Sequence, residues 1–383
     1  MNEYFFHRWK FIGGIFSIII FTIFFLLFNG CNDPVNIQKP IEAIKFDIGL
    51  NDSLKLSEFV DDVKYVNLKT NFSITIEKIK IFDNKIFLLD ALASRSLFIF
   101  NKNGEVLQKI KGYKDKYFRS PTDFIINRDS TISIIDINHR RIVVFDKQYN
   151  FKDKFIFNNM TFFFESYFQK IYYFDFTYMC NRRGSDPNLI ITNSDFEIID
   201  TRFPTNDLEC MSIFEYSTFS RINNTLYYTP LFNDTVYILD SLSITPHKLI
   251  DFGHNKFNPK SVYPEQTPNF KYNTVMNSEY AYNFTNYFEN SNFVVFNYSY
   301  RKSDYFAVYN KFNNYSKAVK RVNNDIDNTP LSSVFWAQDS MLVFFVENEI
   351  DEEANKLFND SIRVTMKYNG QKNITLALAK LKK

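Results

Sequence analysis

The apolar positions of this chain fall in short runs closed by Asp, Asn or Gly, and the runs come in copies. The clearest pair sets Asp83-Asn-Lys-Ile-Phe-Leu-Leu-Asp90 and Ser96-Leu-Phe-Ile-Phe-Asn-Lys102 against Asp129-Ser-Thr-Ile-Ser-Ile-Ile-Asp136 and Arg141-Ile-Val-Val-Phe-Asp-Lys147. Ile86 and Ile132 stand 46 residues apart, inside the roughly 40–50-residue period of propeller blades. Each copy reads as strands joined by tight turns, Asn103-Gly104 among them. A lone four-stranded sheet cannot bury both faces, but a closed ring of them can.

Looser copies follow. Ile171–Asp175 with Leu189–Thr192 predicts a third blade, and Leu226–Thr229 with Thr235–Leu239 a fourth. Phe293–Asn297 with Tyr305–Tyr309 predicts a fifth, and Val334–Trp336, Met341–Val346 and Thr375–Leu381 a sixth. The uneven spacing puts longer insertions near residues 255–285 and 347–360. The sixth blade lacks one strand, while Val63-Lys-Tyr-Val-Asn-Leu-Lys69 alternates apolar and polar ahead of the first. The expected fold is all-β: a six-bladed β-propeller closed by pairing that N-terminal strand with the C-terminal blade, which leaves no open sheet edge.

Composition sharpens this picture. Aromatic residues make up 19% of the chain, including 45 Phe and 24 Tyr, against only 9 Gly. Aromatics suit pleated surfaces, and Asn partly takes over from Gly the turns that need a left-handed backbone. A net charge of +2 offers no basic excess for a phosphate backbone, so no nucleic-acid partner is expected. The scattered Lys and Arg read as solvated strand faces.

The start of the chain carries an address. Arg8 and Lys10 precede a charge-free, mostly apolar run over residues 11–28, followed by Asn29-Gly30-Cys31. Leu27-Phe28-Asn29-Gly30-Cys31 resembles a bacterial lipobox, cleaved before Cys31, whose thiol then carries the lipid. The competing reading is an uncleaved anchor, since the run approaches the ~20 residues of a membrane span. The lipobox is preferred because Cys31 directly follows Gly30 at the end of the apolar run. It divides the chain into a signal peptide (1–30), a tether (31–45) and the propeller (46–383), outside the cytosol and lipid-anchored to the outer membrane or a periplasmic face. Cys180 and Cys210 then remain, either as a disulfide or as two buried thiols.

These features together resemble the six-bladed β-propeller lipoproteins of Bacteroidetes, a design similar to NHL-repeat propellers. The residues that carry the resemblance are the Cys31 lipobox, Leu56-Ser-Glu-Phe-Val-Asp-Asp-Val-Lys-Tyr-Val-Asn-Leu-Lys69, Asp136-Ile-Asn-His-Arg-Arg-Ile-Val-Val-Phe-Asp146, Asn233-Asp-Thr-Val-Tyr-Ile238 and Leu249-Ile-Asp-Phe-Gly253. The chain departs from the pattern in the loop after the first blade: Gly112-Tyr-Lys-Asp-Lys-Tyr-Phe-Arg-Ser-Pro121 keeps one Gly where members often have several. The resemblance implies fold and location much more than activity. Asp-Ser or Asp-Thr at Asp52, Asp129, Asp234, Asp240, Asp339 and Asp360 also resembles the O-glycosylation acceptor of such proteins, though it is equally common turn chemistry.

Candidate chemistry is sparse. Asp90 and Asp136 share one position in successive blades, with Asp175 and Asn297 as looser equivalents. Carboxylates converging on an axis could hold Ca²⁺; the preferred reading is that each caps the following turn, so no metal or other cofactor is expected. His139 and Arg140, with Arg141, lie in a turn beside Asp136 and suit an anionic sugar or carboxylate, as do Arg182 and Arg183. No triad, phosphate loop or metal-protease motif is present, so no catalytic residue is named. The expected function is a membrane-tethered binding module whose partner is a glycan, a peptide or an envelope protein. The alternative is a hydrolase or lyase built around an axial metal.

Overall fold

The computed structural model describes residues 41–48, 53–70, 74, 76–112, 117–158, 161–167, 170–175, 187–204, 217–258, 274–275, 277–301, 303–338, 340–346 and 373–382. Cys31, Cys180, Arg182, Arg183, Cys210 and the insertion expected near residues 347–360 lie outside them. Among the described residues no helix is long and apolar enough to cross a membrane.

The strands form six sheets. Blade one is β3 (Lys78–Phe82), β4 (Lys85–Asp90), β5 (Ser96–Asn101) and β6 (Val106–Lys111). Blade two is β7 (Pro121–Ile126), β8 (Ile132–Asp136), β9 (Arg141–Phe145) and β10 (Phe151–Ile156). Blade three runs β11 (Phe163–Tyr167), β12 (Ile171–Asp175), β13 (Pro187–Thr192) and β14 (Ile198–Pro204), and blade four β15 (Phe219–Ile222), β16 (Thr225–Tyr228), β17 (Thr235–Asp240) and β18 (Ser243–Asp251). Blade five is β19 (Tyr282–Glu289), β20 (Phe293–Tyr300), β21 (Ser303–Asn310) and β22 (Tyr315–Val319). Blade six takes β23 (Leu331–Gln338), β24 (Met341–Val346) and β25 (Asn373–Leu381) from one end of the sequence and β2 (Val60–Lys69) from the other. The first strands of successive blades touch in order, and β23 returns to β3. The ring is closed.

Closure follows the expected pairing. Strand β2 runs antiparallel to β25 from Val60 opposite Leu381 to Lys69 opposite Asn373. The tether does not extend over all of residues 31–45, however. Glu42–Lys45 is a strand, β1, lying parallel to Lys248–Asp251 of β18 as a fifth member of blade four. From there the chain passes to blade six across blade five. Phe46, Leu54, Leu56 and Phe59 bury themselves in the core shared with Phe296, Phe306 and Phe344. Leu56 N–H donates to the Asn323 carbonyl at 2.7 Å, and Asn323 N–H to the Leu54 carbonyl at 2.8 Å.

Both faces of each blade are buried, which is why the apolar runs are continuous rather than alternating. In β4, Phe87 and Leu89 pack on Phe124, Ile132 and Ile134 of blade two. Ile86 and Leu88 pack the other way, on Val343, Phe345 and Leu376 of blade six. Period-2 geometry sends alternate residues to opposite neighbours, and each buried aliphatic or Phe side chain contributes about 1.5–3 kcal/mol.

Asn replaces Gly in part: among the described residues it takes six of the sixteen positive-φ positions that are not glycine, and Asp, Arg, Ser, Tyr and Phe take the rest. Asn84, Asn223, Asn283, Asn286, Asn314 and Asn328 have φ between 52° and 64°. Asn283 and Asn286 fall within the register shifts of β19, each in the left-handed conformation a bulge can demand. Gly104 is different: its φ is +81°, and a Cβ would come 1.9 Å from the Asn67 carbonyl oxygen of β2. That turn needs glycine because blade six presses against it. Gly112 likewise has no room for a Cβ, which would meet the Phe118 ring at 2.4 Å.

Candidate functional site

Asp90 and Asp136 sit at the same end of their blades, each at the end of a second strand. Both side chains are fully buried. Asp90 accepts the Ala93 and Ser94 N–H groups, one on each oxygen, both at 2.9 Å. It caps the turn between β4 and β5.

Asp136 does more. Its Oδ1 accepts Ser120 N–H at 3.0 Å, while Oδ2 meets His139 Nδ1 at 2.6 Å and accepts Arg141 Nε–H at 3.2 Å. Arg141 also donates to the Tyr117 carbonyl at 2.7 Å. The turn itself is fixed by Arg140, whose φ is +50°. Arg140 N–H donates to the Ile137 carbonyl and its own carbonyl accepts Phe157 N–H. Arg140 is exposed, and the His139 side chain is 44% exposed. One buried carboxylate therefore holds a cationic turn in a single shape at this end of the ring.

The looser equivalents link blades. Asp175 accepts the Thr218 hydroxyl of the next blade, and Asn297 Nδ2–H donates to the Val334 carbonyl at 2.5 Å. Among the described residues no three His, Cys, Asp or Glu gather in metal-binding geometry.

The charges that do line the first strands were not among the candidates. Lys78 and Lys80 alternate with Ile79 and Ile81 on β3, so both face one side. Lys78 is ion-paired to Asp123 of β7, and Lys80 Nζ lies 2.8 Å from Glu165 Oε2 of β11. Arg221 of β15 reaches Glu165 Oε1 at 3.3 Å. Asp123 also accepts Phe164 N–H at 3.0 Å. The result is a column of paired charges crossing blades one to four. Burial would push Glu165 up, but Lys80, Arg221 and Lys78 together hold its carboxyl down at about 2. Burial lowers Lys80 to about 8 against the pull of Glu165, and it pushes Asp123 up against Lys78 and Lys80. At the opposite end of the ring, Arg128 of the β7–β8 turn reaches Asn224 of the β15–β16 turn at 2.6 Å, past blade three.

Sequence alternation could not distinguish these residues from a solvated face. The usable signal was position: polar residues on the first strand of a blade point to the axis. Lys78, Lys80 and Arg221 are thus corrected from solvated to partly buried and paired.

No curated protein matches the chain by sequence. Among solved structures, a Bacteroides fragilis protein whose name assigns it to the exported class is similar at 16% identity, covering 89% of this chain and 99% of that one, with a TM-score of 0.67. This likeness shows the fold. A DUF4221 member from Bacteroides vulgatus reaches a TM-score of 0.48 at 12% identity, covering 85% and 98% of the two chains. Virginiamycin B lyase from Staphylococcus aureus reaches 0.43 at 12%, covering 74% and 82%. Similarity that low bears on neither activity nor ligand. Residues 42–380 match the family model described as "Domain of unknown function (DUF4934)", and the chain belongs to that family.

Proposed function

We propose that this protein is an exported, lipid-anchored binding module of the bacterial envelope, which recognises a carboxylate-bearing glycan or peptide at the end of the ring where the His139–Arg140 turn stands. The observation that carries the reading is the buried Asp136, which orients His139 and Arg141 beside an exposed Arg140. A preorganised cationic turn loses little freedom on binding, and guanidinium groups suit planar anions. The name of the Bacteroides fragilis structure supports export, and Cys31 supplies the anchor. The axial-metal reading is the weaker one. Each described carboxylate on the first strands at the column, Asp123 and Glu165, already holds a lysine, and Asp90 is occupied by its turn.

The test is an array of acidic and neutral glycans and peptides, probed with the mature chain and with the His139→Ala/Arg140→Ala double variant. Acidic members should bind, and the double variant should lose them while melting as the parent does. Binding that survives the double substitution, or binding of neutral members alone, would sink the reading. The anchor has its own check. Cys31→Ser should leave the precursor uncleaved and unlipidated by mass spectrometry, whereas a native protein retaining Met1 with a bare Cys31 would replace the lipid anchor by an uncleaved span.

A further inference from the structure

A cavity of about 250 Å³ opens in the seam between blades four and five, on the same end of the ring as the His139 turn. Its walls are aromatic: Phe232, Phe252, Phe257, Tyr282 and Phe284. The rings brace one another, Phe232 stacking on Phe257 at 4.7 Å and Phe252 lying parallel to Phe284 at 5.6 Å. Two opposite charges stand among them, Asp234 and Lys256.

Asp234 is the informative residue. Its backbone is fixed, the carbonyl accepting Ile250 N–H at 2.8 Å. Its Oδ2 is closed off from solvent and makes no hydrogen bond of good geometry among the described residues. The charge beside that oxygen is Lys256 Nζ at 2.6 Å. The Lys256 side chain is 52% exposed, against 20% for Asp234. A carboxylate set among aromatic rings needs a cation, and this one has a cation on a flexible stem that can swing into water.

We propose that this cavity binds a small organic ammonium ion with an apolar body, whose charge replaces Lys256 on Asp234 while its body fills the space between the rings. Aromatic walls attract ammonium groups through their π-faces, and the cavity lies just below the ~300–1,000 Å³ range of ligand sites, which restricts it to a small ligand. Two other ligand classes fit worse. A sugar needs many hydrogen-bonding partners, but beside Asp234 and Lys256 the polar side chains that line the cavity are Tyr282 and Asn233, and Asn233 is already bonded to Thr235 N–H at 2.9 Å and Tyr237 OH at 3.4 Å. An anion would have to share the cavity with the Asp234 carboxylate. The inference stands apart from the His139 turn and does not rest on it.

The test is calorimetric titration of the full mature chain with choline and with phenethylammonium, using glucose and benzoate as counter-probes. Wild type should bind at least one ammonium probe and neither counter-probe. Lys256→Met removes the internal competitor and should tighten binding about tenfold, an effect opposite to that expected for an anionic ligand. Asp234→Asn should weaken it at least about tenfold. Failure of both ammonium probes to bind wild type and Lys256→Met overturns the proposal. So does weaker ammonium binding by Lys256→Met, or binding of benzoate or glucose in place of the ammonium probes. Should Asp234→Asn fail to fold, the Lys256→Met result decides alone, since that half-exposed side chain can be changed without opening the core.

Discussion

Glu77, just before β3, shows what a single misplaced charge costs in this fold. Its Oε1 is buried and makes no hydrogen bond among the described residues. Burial, and then the nearby Asp90, push its carboxyl up to about 7. Below the ordinary value of 4.5 both folded and unfolded chains hold the proton. Between 4.5 and 7 only the folded chain does, so stability falls as pH rises across that window, and above 7 the full penalty applies. Glu77→Gln should therefore stabilise the protein by about 3 kcal/mol at most at pH 8 and by almost nothing at pH 4. Urea midpoints at the two pH values measure this, and an equal shift at both would refute it. Glu77 was not legible as a special residue, because a Glu ahead of a strand looks like any surface carboxylate. The same blindness hid Lys78 and Lys80, whose alternation with Ile79 and Ile81 is the pattern of a half-exposed strand. His139 and Arg140 were legible from their turn beside Asp136; that one carboxylate orients His139 and Arg141 together was a matter of distance, which spacing does not encode.

At the scale of the element, β2 is the decisive strand. Its alternation marked it in the sequence, and the missing fourth strand of blade six marked its partner. Deleting residues 59–70 should expose β25 as an open edge and uncover Leu376, Val343 and Ile374, which are fully or almost fully buried. Aggregation or a lost cooperative transition is the expected outcome in a thermal melt. A truncated chain that melts like the parent would show that closure lies elsewhere. Strand β1 escaped detection for a physical reason. Glu42-Ala-Ile-Lys45 is short and half charged, and its stability comes from a parallel partner about two hundred residues away, helped by Lys248 Nζ 2.6 Å from Glu42 Oε2. Local pattern carries no trace of such a partner. The tight Asn103-Gly104 turn was visible by contrast, because its chemistry is local.

For the whole molecule, acid sensitivity rests most on two carboxylates that the fold holds far down. Glu165 is held at about 2 within the charge column. Glu289 is also held at about 2: burial pushes it up, but hydrogen bonds from His247, Lys311 and Tyr287 outweigh that. A carboxyl lowered on folding stabilises the protein fully above its ordinary value of 4.5, and that contribution drains away as pH falls toward 2. Acid unfolding followed by circular dichroism should therefore begin below about pH 4.5. Glu289→Gln should flatten the slope between 4.5 and 2, and an unchanged slope would remove Glu289 from the account.

Ring closure also sets a clock. Strand β2 is synthesised early, yet its partner β25 follows only after the sequence of every other blade has been made. At ~5–20 residues per second, that interval is roughly 15–60 s. During it Val66 and Leu68, both almost fully buried in the finished ring, have no sheet to join, and each completed blade offers a raw face to the next. Such distant pairing is slow and prone to aggregation. Closure can therefore come only once the last blade has been made, and β2 waits through nearly the whole of synthesis for the strand that locks it.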